Sequence, residues 1–529
     1  MFVANNAQIR EADQWMTSEY AFPSLLLMES AARKSAEKIL ELYPAISHFL
    51  VLCGKGNNGG DGLATARYLH LAGKTVWCLL MDLPGVYEGD AKTNLKIVQE
   101  LGLKLTVFEN EPVEKIEQYL QSGTVVIDAM LGTGIEGELR DPVAKVVTLF
   151  NGFRNEKIAL DMPSGLSGNT GQIFSRPLAC AHTLTFQLPK ICHFVTPASL
   201  YCGHIHVVDI GIYPEVIERL GIHTRLIDPA LIRQWHRPRS PEEHKGSFGH
   251  VLVAGGSKGM SGAVAMATQG ATEIGAGLCT AFIPGAISCS FHRTTLENMS
   301  LPYGTDRTAF LNTTAAEVFG TYLEGKRVIA IGPGLGLNDD TRGFLKATLE
   351  HLQGHKLVLD ADALNILAES PELWDMLPEQ TILTPHPGEM ARLMGEETGK
   401  VQANRFEMAR KLATERKLII VLKGAGTIIA SPDGNVYLCS AGNPGMATGG
   451  TGDVLTGAIA GLLSQGYAPL RAAAIAVFIH ATTGDLLQEL VGPEGITAQK
   501  VMRNLGRTLK AILDERNLNA EELLAPMLK

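Results

Sequence analysis

At 529 residues the chain exceeds one ordinary domain; at roughly 150 residues per domain it should hold two to four. Apolar residues make up 45% and charged residues 19%, which excludes a disordered chain. With 46 Lys+Arg against 55 Asp+Glu, a net charge of −9, bulk binding to nucleic acid or an anionic membrane is excluded too, though a local basic pocket for phosphate is not.

The predicted elements follow in chain order. Residues 7–18 and 23–43 read as helices, the second apolar along one face from Leu26 to Leu42. Strands are expected at 48–53, 75–81, 104–108, 124–128 and 157–161, with helices at 62–71 and 91–101 between them. Apolar runs near 183–186 and 205–208 add two more strands. Alternation of this kind predicts a mainly parallel sheet covered on both faces. Residues 228–249, DPALIRQWHRPRSPEEHKGSFG, keep no steady period and read as a linker. A fresh series then begins, with strands at 250–254, 326–331, 356–359, 381–383 and 418–422 and helices at 260–274, 401–414, 452–463 and 471–490. The expected organisation is two α/β domains, 1–225 and 230–529, without a solenoid repeat.

No basic start followed by an apolar stretch marks a secretory signal, and no uninterrupted apolar run nears the roughly 18 residues of a membrane span. The eight cysteines are scattered, without a Cys-x-x-Cys. A soluble, reducing, cytoplasmic setting with no membrane or nucleic-acid partner is the expectation. Cys180, His182, Cys192, His193, Cys202, His204 and His206 do gather in sequence, and His204 and His206 share one strand face. They lack the paired spacing of zinc modules and read as buried thiols and partly exposed imidazoles.

Glycine is the outlier, with 56 residues in 529 against an average near 7% and no collagen-like period. Many sit where a predicted strand hands over to a helix, the end of an open α/β sheet at which ligands bind. Glycine there lets the backbone approach a ligand and aims N–H groups at phosphate. Gly54-Lys55-Gly56-Asn57-Asn58-Gly59 formally matches G-x-G-x-x-G, and Asp82 ends the next strand, where a ribose-binding acid would stand. Taken alone, that pattern suggests a dehydrogenase. Asn57, Asn58 and Asp61, however, put extra acceptors into the loop, and two further polar strand ends start at Asp128 and Asp161. Three such ends together suit a ligand and a hard cation; singly they would serve as helix caps and acceptors for loop amides.

Four motifs in order, NNGGDGLATARYL, DAMLGTGIEGE, DMPSGL and FQLPK, resemble the NAD(P)H-hydrate epimerase family over most of residues 1–215. The resemblance implies a Rossmann-like fold and a potassium ion held by Asn58, Asp128 and Ser164, whose oxygens suit a hard cation. It implies contacts to hydrated NADH or NADPH from Asn57, Asn58, Gly59, Gly60, Asp61, Gly132, Thr133, Gly134, Ile135, Glu136, Gly137, Glu138 and Asp161. Epimerisation at the hydroxyl-bearing ring carbon needs proton handling. Asp161 is the expected acid/base, and Lys190 a candidate assistant.

The second glycine set is denser: Gly255-Gly256-Ser257, Gly332-Pro-Gly-Leu-Gly336, Lys423-Gly-Ala-Gly-Thr427 and the run from Gly442 to Asp453. No G-x-x-x-x-G-K-[ST] occurs, so a P-loop enzyme is excluded. The last run opens an apolar helix, where Gly449, Gly450 and Gly452 would form an anion hole reinforced by the helix dipole. Asp453, in the first turn, would be an ordinary dipole partner in a plain helix; beside a phosphate hole it is placed to act as a general base.

HKGSFGHVLVAGGSKGMSGA, GPGLG, LDADALN, LTPHPGE, LKGAGTII and GNPGMATGGTGD together resemble, within the ribokinase-like superfamily, the ADP- or ATP-dependent NAD(P)H-hydrate dehydratases over about residues 240–500. That resemblance implies adenine-nucleotide contacts at Lys423, Gly424, Ala425, Gly426, Thr427 and Gly452, and hydrate contacts at Ala263, Gly336, His386 and Asp453. Magnesium is expected with the nucleotide. Asp360 and Asn365 are candidates to anchor it, while Asp362 reads as a helix cap.

The two resemblances together imply a bifunctional metabolite-repair enzyme. Its first domain would interconvert the R and S forms of the hydrate, and its second would dehydrate the S form. Two alternatives stand beside it: a ribokinase-like small-molecule kinase with a regulatory first domain, and a first domain that binds partners without chemistry. ADP against ATP, NADH against NADPH, and assembly into a homo-oligomer stay open.

Overall fold

The computed structural model describes residues 1–120, 123–134 and 137–515. The chain divides into two compact units, Phe2–Thr224 and, with Met1, Arg225 onward.

The first unit is built on a seven-stranded sheet: β1 (His48–Cys53), β2 (Thr75–Leu80), β3 (Lys104–Val107), β4 (Val125–Ala129), β5 (Lys157–Leu160), β6 (His182–Phe186) and β7 (His204–Val208). Every pairing is parallel and the order is β3-β2-β1-β4-β5-β6-β7. Strands such as HFLVLC are apolar along almost their whole length because both faces are covered, by two clusters of buried side chains. Strand order reverses between β1 and β4, which opens a crevice beyond their carboxyl ends. The helix Asn57–Leu71 leaves β1 there and presses on the sheet; a Cβ on Gly62 would lie 2.4 Å from that of Ala129.

The second unit carries ten strands: β8 (Thr224–Leu226), β9 (His250–Ala254), β10 (Leu278–Pro284), β11 (Met299–Tyr303), β12 (Val328–Ile331), β13 (Lys356–Leu359), β14 (Ile382–Leu383), β15 (Ile419–Leu422), β16 (Thr427–Ala430) and β17 (Val436–Cys439). Their order is β11-β10-β9-β12-β13-β14-β15-β16-β17-β8, parallel from β11 to β15 and antiparallel over the β15-β16-β17 meander. Here the order reverses between β9 and β12. The helices Ser261–Glu273 and Thr451–Ser464 cover one face with their backbones in near contact. A Cβ on Gly457 would sit 2.0 Å from the Ala267 carbonyl oxygen, and one on Gly461 2.6 Å from that of Ala271.

Two sequence expectations are corrected here. The segment expected to be a linker contains the helix Pro229–Trp235, capped by the Asp228 carboxylate, which accepts from Leu231 N at 2.8 Å. Ile232 is fully buried in the core, so this stretch belongs to the second unit. The helix expected over 401–414 is two, Thr398–Ala403 and Arg405–Arg416, broken at Asn404 (φ −131°, ψ 35°). Among the described residues one helix, Pro469–Val491, is long and apolar enough to cross a membrane, and 83% of its apolar window is buried inside the protein.

Candidate functional site

A cavity of about 1160 Å³ opens at the carboxyl ends of β1 and β4, the scale of a site for a large small molecule. The helix Asn57–Leu71 points its N-terminus at it. The N-cap is Gly56, with no side-chain cap, so neither Asn57 nor Asn58 is spent on capping. Asn57, Asn58, Asp61, Gly132, Thr133 and Gly134 line the cavity, as do Gly137, Glu138 and Asp161. Gly59 and Gly60 do not. A Cβ on Gly59 would meet the Gly54 carbonyl oxygen at 1.6 Å, and one on Gly60 the Met28 side chain at 2.7 Å, so both are glycine for packing. Ile135 and Glu136 lie outside the described residues.

Asp161 follows β5 with φ +65°, a left-handed conformation that costs a non-glycine residue about 1–3 kcal/mol and concentrates at functional positions. Its carboxylate accepts a short hydrogen bond from Lys190 Nζ. Lys190 is fully buried and also donates to Thr185 Oγ1 at 2.9 Å. Two more carboxyls enter the same space. Burial, with the charges of Asp161 and Asp13 behind it, pushes Asp61 well above the usual carboxylate range. Burial likewise lifts Asp13 to about 6, with Lys190 opposing the rise and Asp161 adding to it. The cavity thus gathers a Lys-clamped carboxylate and two carboxyls biased towards the protonated form.

Next to them lies an all-oxygen nook. Asp128 is buried, and its carboxylate accepts from Ser164 N at 2.8 Å, Ser164 Oγ at 2.7 Å and Met130 N at 3.1 Å. Burial raises Asp128 to about 6 despite those bonds. Asn58 Nδ2 donates to the Leu131 carbonyl at 3.0 Å, leaving its buried Oδ1 without a partner. A buried carbonyl oxygen with no donor, beside a carboxylate and a hydroxyl, has the chemistry of a hard-cation site.

In the second unit the sequence-selected residues converge at the carboxyl ends of β12 to β15. The helix Thr451–Ser464 starts after Gly450, again without a side-chain cap, with Gly452 and Asp453 in its first turn. A Cβ on Gly452 would lie 3.5 Å from Lys423 Nζ, so the ammonium sits over this N-terminus. Lys423 Nζ donates to Asp360 Oδ1 at 2.8 Å and stands 3.9 Å from Glu389 Oε2. Asp360 is fully spent, accepting also from Thr384 Oγ1 and Thr456 Oγ1, each at 2.7 Å. Burial opposes its ionisation, but the Lys423 charge and these bonds hold it below the usual carboxylate range.

Asp453 has no such partner. Burial and then the Asp360 charge lift it to about 7, against the pull of Lys423. Glu389 is also raised to about 7, chiefly by burial. Such an unpaired carboxyl, poised near neutrality at a helix N-terminus beside an ammonium, can take a proton from a hydroxyl and present it to phosphate.

Gly336 donates its N–H to Asp362 Oδ2 at 2.8 Å, and a Cβ on Gly334 would touch that of Ala263 at 3.0 Å, so both hydrate-contact candidates reach this end of the sheet. His386 heads the helix Pro387–Met394; its Nδ1 accepts from Gly388 N at 3.0 Å and Glu389 N at 3.3 Å. Gly424, Ala425 and Gly426 form the turn between β15 and β16, closed by Thr427 Oγ1 donating to the Gly424 carbonyl at 2.9 Å. Two readings change. Asp362 does not cap its helix: it binds the Gly336 amide, and the N-cap is Ala361 with no side-chain bond. Asn365 Oδ1 accepts from Arg392 Nε at 2.8 Å, so neither it nor the saturated Asp360 is free to anchor magnesium.

Residues 251–507 match the family model described as NAD(P)H-hydrate dehydratase, and residues 24–192 the one described as YjeF-related protein N-terminus. A bifunctional NAD(P)H-hydrate repair enzyme from Moorella thermoacetica is 38% identical over 97% of this chain and 98% of its own length. The chain belongs to the bifunctional NAD(P)H-hydrate repair enzymes. Members from Coxiella burnetii and Escherichia coli are 35% and 30% identical, each over 94% of this chain and over 98% and 92% of their own lengths. A solved ADP/ATP-dependent NAD(P)H-hydrate dehydratase from Bacillus subtilis, co-crystallised with ATP/Mg2+, is 28% identical over 54% of this chain and 98% of its own, with a TM-score of 0.47.

Within this repair enzyme, sequence reasoning missed three groups. Asp13 lies on the helix Asn6–Ser18 between buried Ala12 and Met16, and a carboxylate beside the apolar face of a predicted helix was the available signal. Glu389 ends the LTPHPGE motif and is buried, which no spacing rule announces. Thr456, one turn beyond Asp453, looked like an ordinary helix residue. The cysteine–histidine segment stays as read: Cys180, Cys192 and Cys202 are buried, and His182 Nδ1 lies 3.0 Å from His206 Nε2 as an imidazole pair. Among the described residues no three His, Cys, Asp or Glu side chains could hold a metal ion.

Proposed function

We propose that the first unit interconverts the R and S epimers of hydrated NADH or NADPH, and that the second dehydrates the S form to NADH or NADPH at the expense of ADP or ATP. The observation that carries this is a division of labour between two carboxyls. Asp161 is clamped by a buried ammonium in a cavity of dinucleotide size; Asp453 is unpaired at a glycine-built helix start.

In the first unit Asp161 is the acid/base at the hydroxyl-bearing ring carbon, oriented by Lys190. Protonated Asp61 and Asp13 serve the hydrate as donors from the same cavity. Potassium would be held by Asn58, Asp128 and Ser164, a fit supported by the orphaned Asn58 Oδ1. When bound it supplies a fixed positive charge that orients oxygen atoms of the substrate.

In the second unit Asp453 deprotonates the hydrate's hydroxyl, and that oxygen attacks the terminal phosphate of the nucleotide. The C–O bond then breaks with phosphate as leaving group in place of hydroxide, and loss of a ring proton restores the dihydronicotinamide. Lys423 and the amides at Gly452 receive the phosphate charge. Asp362, Glu389 and Asp453 exceed the one ammonium that is already paired with Asp360, a surplus that suits a divalent cation arriving with the nucleotide. Magnesium would be held by the phosphates and by the carboxylates Asp362 and Glu389, and would neutralise phosphate charge.

The test is recovery of dihydronicotinamide absorbance from a mixture of both hydrate epimers with ADP or ATP. The full mixture should be recovered. No recovery with either nucleotide overturns the dehydratase assignment. Recovery that halts at one epimer's share, in an assay faster than spontaneous epimerisation, overturns the epimerase assignment.

A further inference from the structure

Arg405 is among the largest fully buried side chains of the molecule, 1% exposed, in the first turn of the helix Arg405–Arg416. This is an unfavourable place for a cation. A helix N-terminus carries positive potential, and a buried charge normally requires an opposite charge. Among the described residues no Asp or Glu pairs with it, and burial alone draws the guanidinium down to about 10. Its buried Nε has no hydrogen-bond partner.

The guanidinium is instead spent on backbone. Nη2 donates to the carbonyls of Leu422 and Gly426 and Nη1 to that of Lys423, all at 3.3 Å, with Gln402 Oε1 accepting from Nη1 at 3.2 Å. Those three carbonyls are the two ends of the β15–β16 turn that carries Lys423. In a trans peptide the N–H points opposite the C=O. Turning the Lys423 carbonyl towards Arg405 therefore aims the Gly424 N–H away from it, to the side Arg405 leaves open. Likewise the inward Leu422 carbonyl leaves the Lys423 N–H to donate to the Pro385 carbonyl at 2.9 Å on the opposite side. Position 424 must be glycine: φ is +130°, and a Cβ would come within 2.9 Å of Arg405 Nη1. The helix break at Asn404 delivers this arrangement by starting a new helix at Arg405 against the turn.

We infer that Arg405 is a positioning residue for the adenine nucleotide: it draws the carbonyls of the 422–426 turn inward, so that Lys423 and the Gly424 amide are preset for phosphate, and its charge is balanced by that phosphate. The inference rests on the reading of residues 423–427 as the nucleotide loop.

The test compares the full chain with Arg405→Lys and Arg405→Met, measuring KM for ADP and ATP, KM for the S hydrate, kcat, and epimerisation as an internal control. Arg405→Lys keeps the charge but not the fork of donors. It should raise nucleotide KM roughly tenfold, with hydrate KM and epimerisation within about twofold of the parent. Arg405→Met should raise nucleotide KM further. Nucleotide KM within twofold of the parent in Arg405→Lys, or equal losses in hydrate and nucleotide KM, overturns the inference. Should Arg405→Met fail to fold, Arg405→Lys decides alone. A parent chain without nucleotide-dependent dehydration would fail the functional reading itself, and that arm separates the two failures.

Discussion

Both sites bury one lysine against one aspartate at a strand end, yet they use the pair in opposite ways. In the first unit Lys190 holds Asp161, the residue assigned the chemistry. In the second Lys423 holds Asp360, a carboxylate saturated by Thr384 and Thr456, and the residue assigned the chemistry, Asp453, stays unpaired with its protonation poised near 7. The backbone follows the same logic. The left-handed residue is Asp161 itself in the first unit, but Ala361, the neighbour of Asp360, in the second. A reaction that shuttles protons about a ring carbon is served by a clamped acid/base; one that moves a phosphoryl group is served by a fixed cation and a free base. The difference shows that a buried Lys–Asp pair does not by itself mark the catalytic residue.

The largest effect expected from breaking this comparison is in Asp453→Asn, which should lower dehydration about a thousandfold while epimerisation proceeds. Near-normal dehydration in that variant refutes the base assignment. Asp161→Asn should cut epimerisation roughly a hundredfold and leave dehydration of pure S hydrate unchanged, as read in an epimer-resolved assay.

A pH profile sharpens the contrast. Asp453 acts when deprotonated, so kcat/KM for dehydration should rise with pH and reach half its plateau near 7. The Asp360 charge raises Asp453, so Asp360→Asn should shift that limb to lower pH. A limb that does not move, or moves upward, contradicts the coupling. The smallest effect belongs to the cation nook: Asn58→Ala should raise several-fold the potassium concentration giving half-maximal epimerisation, with little change at saturating potassium.

Much of this was legible in the sequence, for identifiable reasons. The β1, β4 and β5 strand ends could be read because near-continuous apolar runs stop at Gly54, Asp128 and Asp161. Asp453 could be read because glycines before an apolar helix have few other uses. The β16–β17 hairpin escaped because its strands are four residues each, too short for a period to register. The helix Pro229–Trp235 escaped because its apolar residues sit among Arg and Pro. The glycine excess was only half explained by ligand loops. Gly457 and Gly461 are glycine because two helices touch backbone to backbone, and Gly59 because its own loop folds back on it. Such close approaches join positions distant in sequence or folded tightly, and no local pattern encodes them. Asp13 and Glu389 were missed for the same reason: their importance comes from burial beside other carboxyls.

The central claim is that two separate carboxyls, one per unit, perform two separable reactions. It is tested most directly by complementation in solution. Asp161→Asn and Asp453→Asn chains are assayed singly and mixed, on both hydrate epimers with ADP or ATP, following dihydronicotinamide absorbance on a timescale shorter than spontaneous epimerisation. Asp161→Asn alone should halt at the S share, Asp453→Asn alone should recover nothing, and the mixture should recover the whole. Full recovery by either variant alone, or no gain on mixing, would contradict the account.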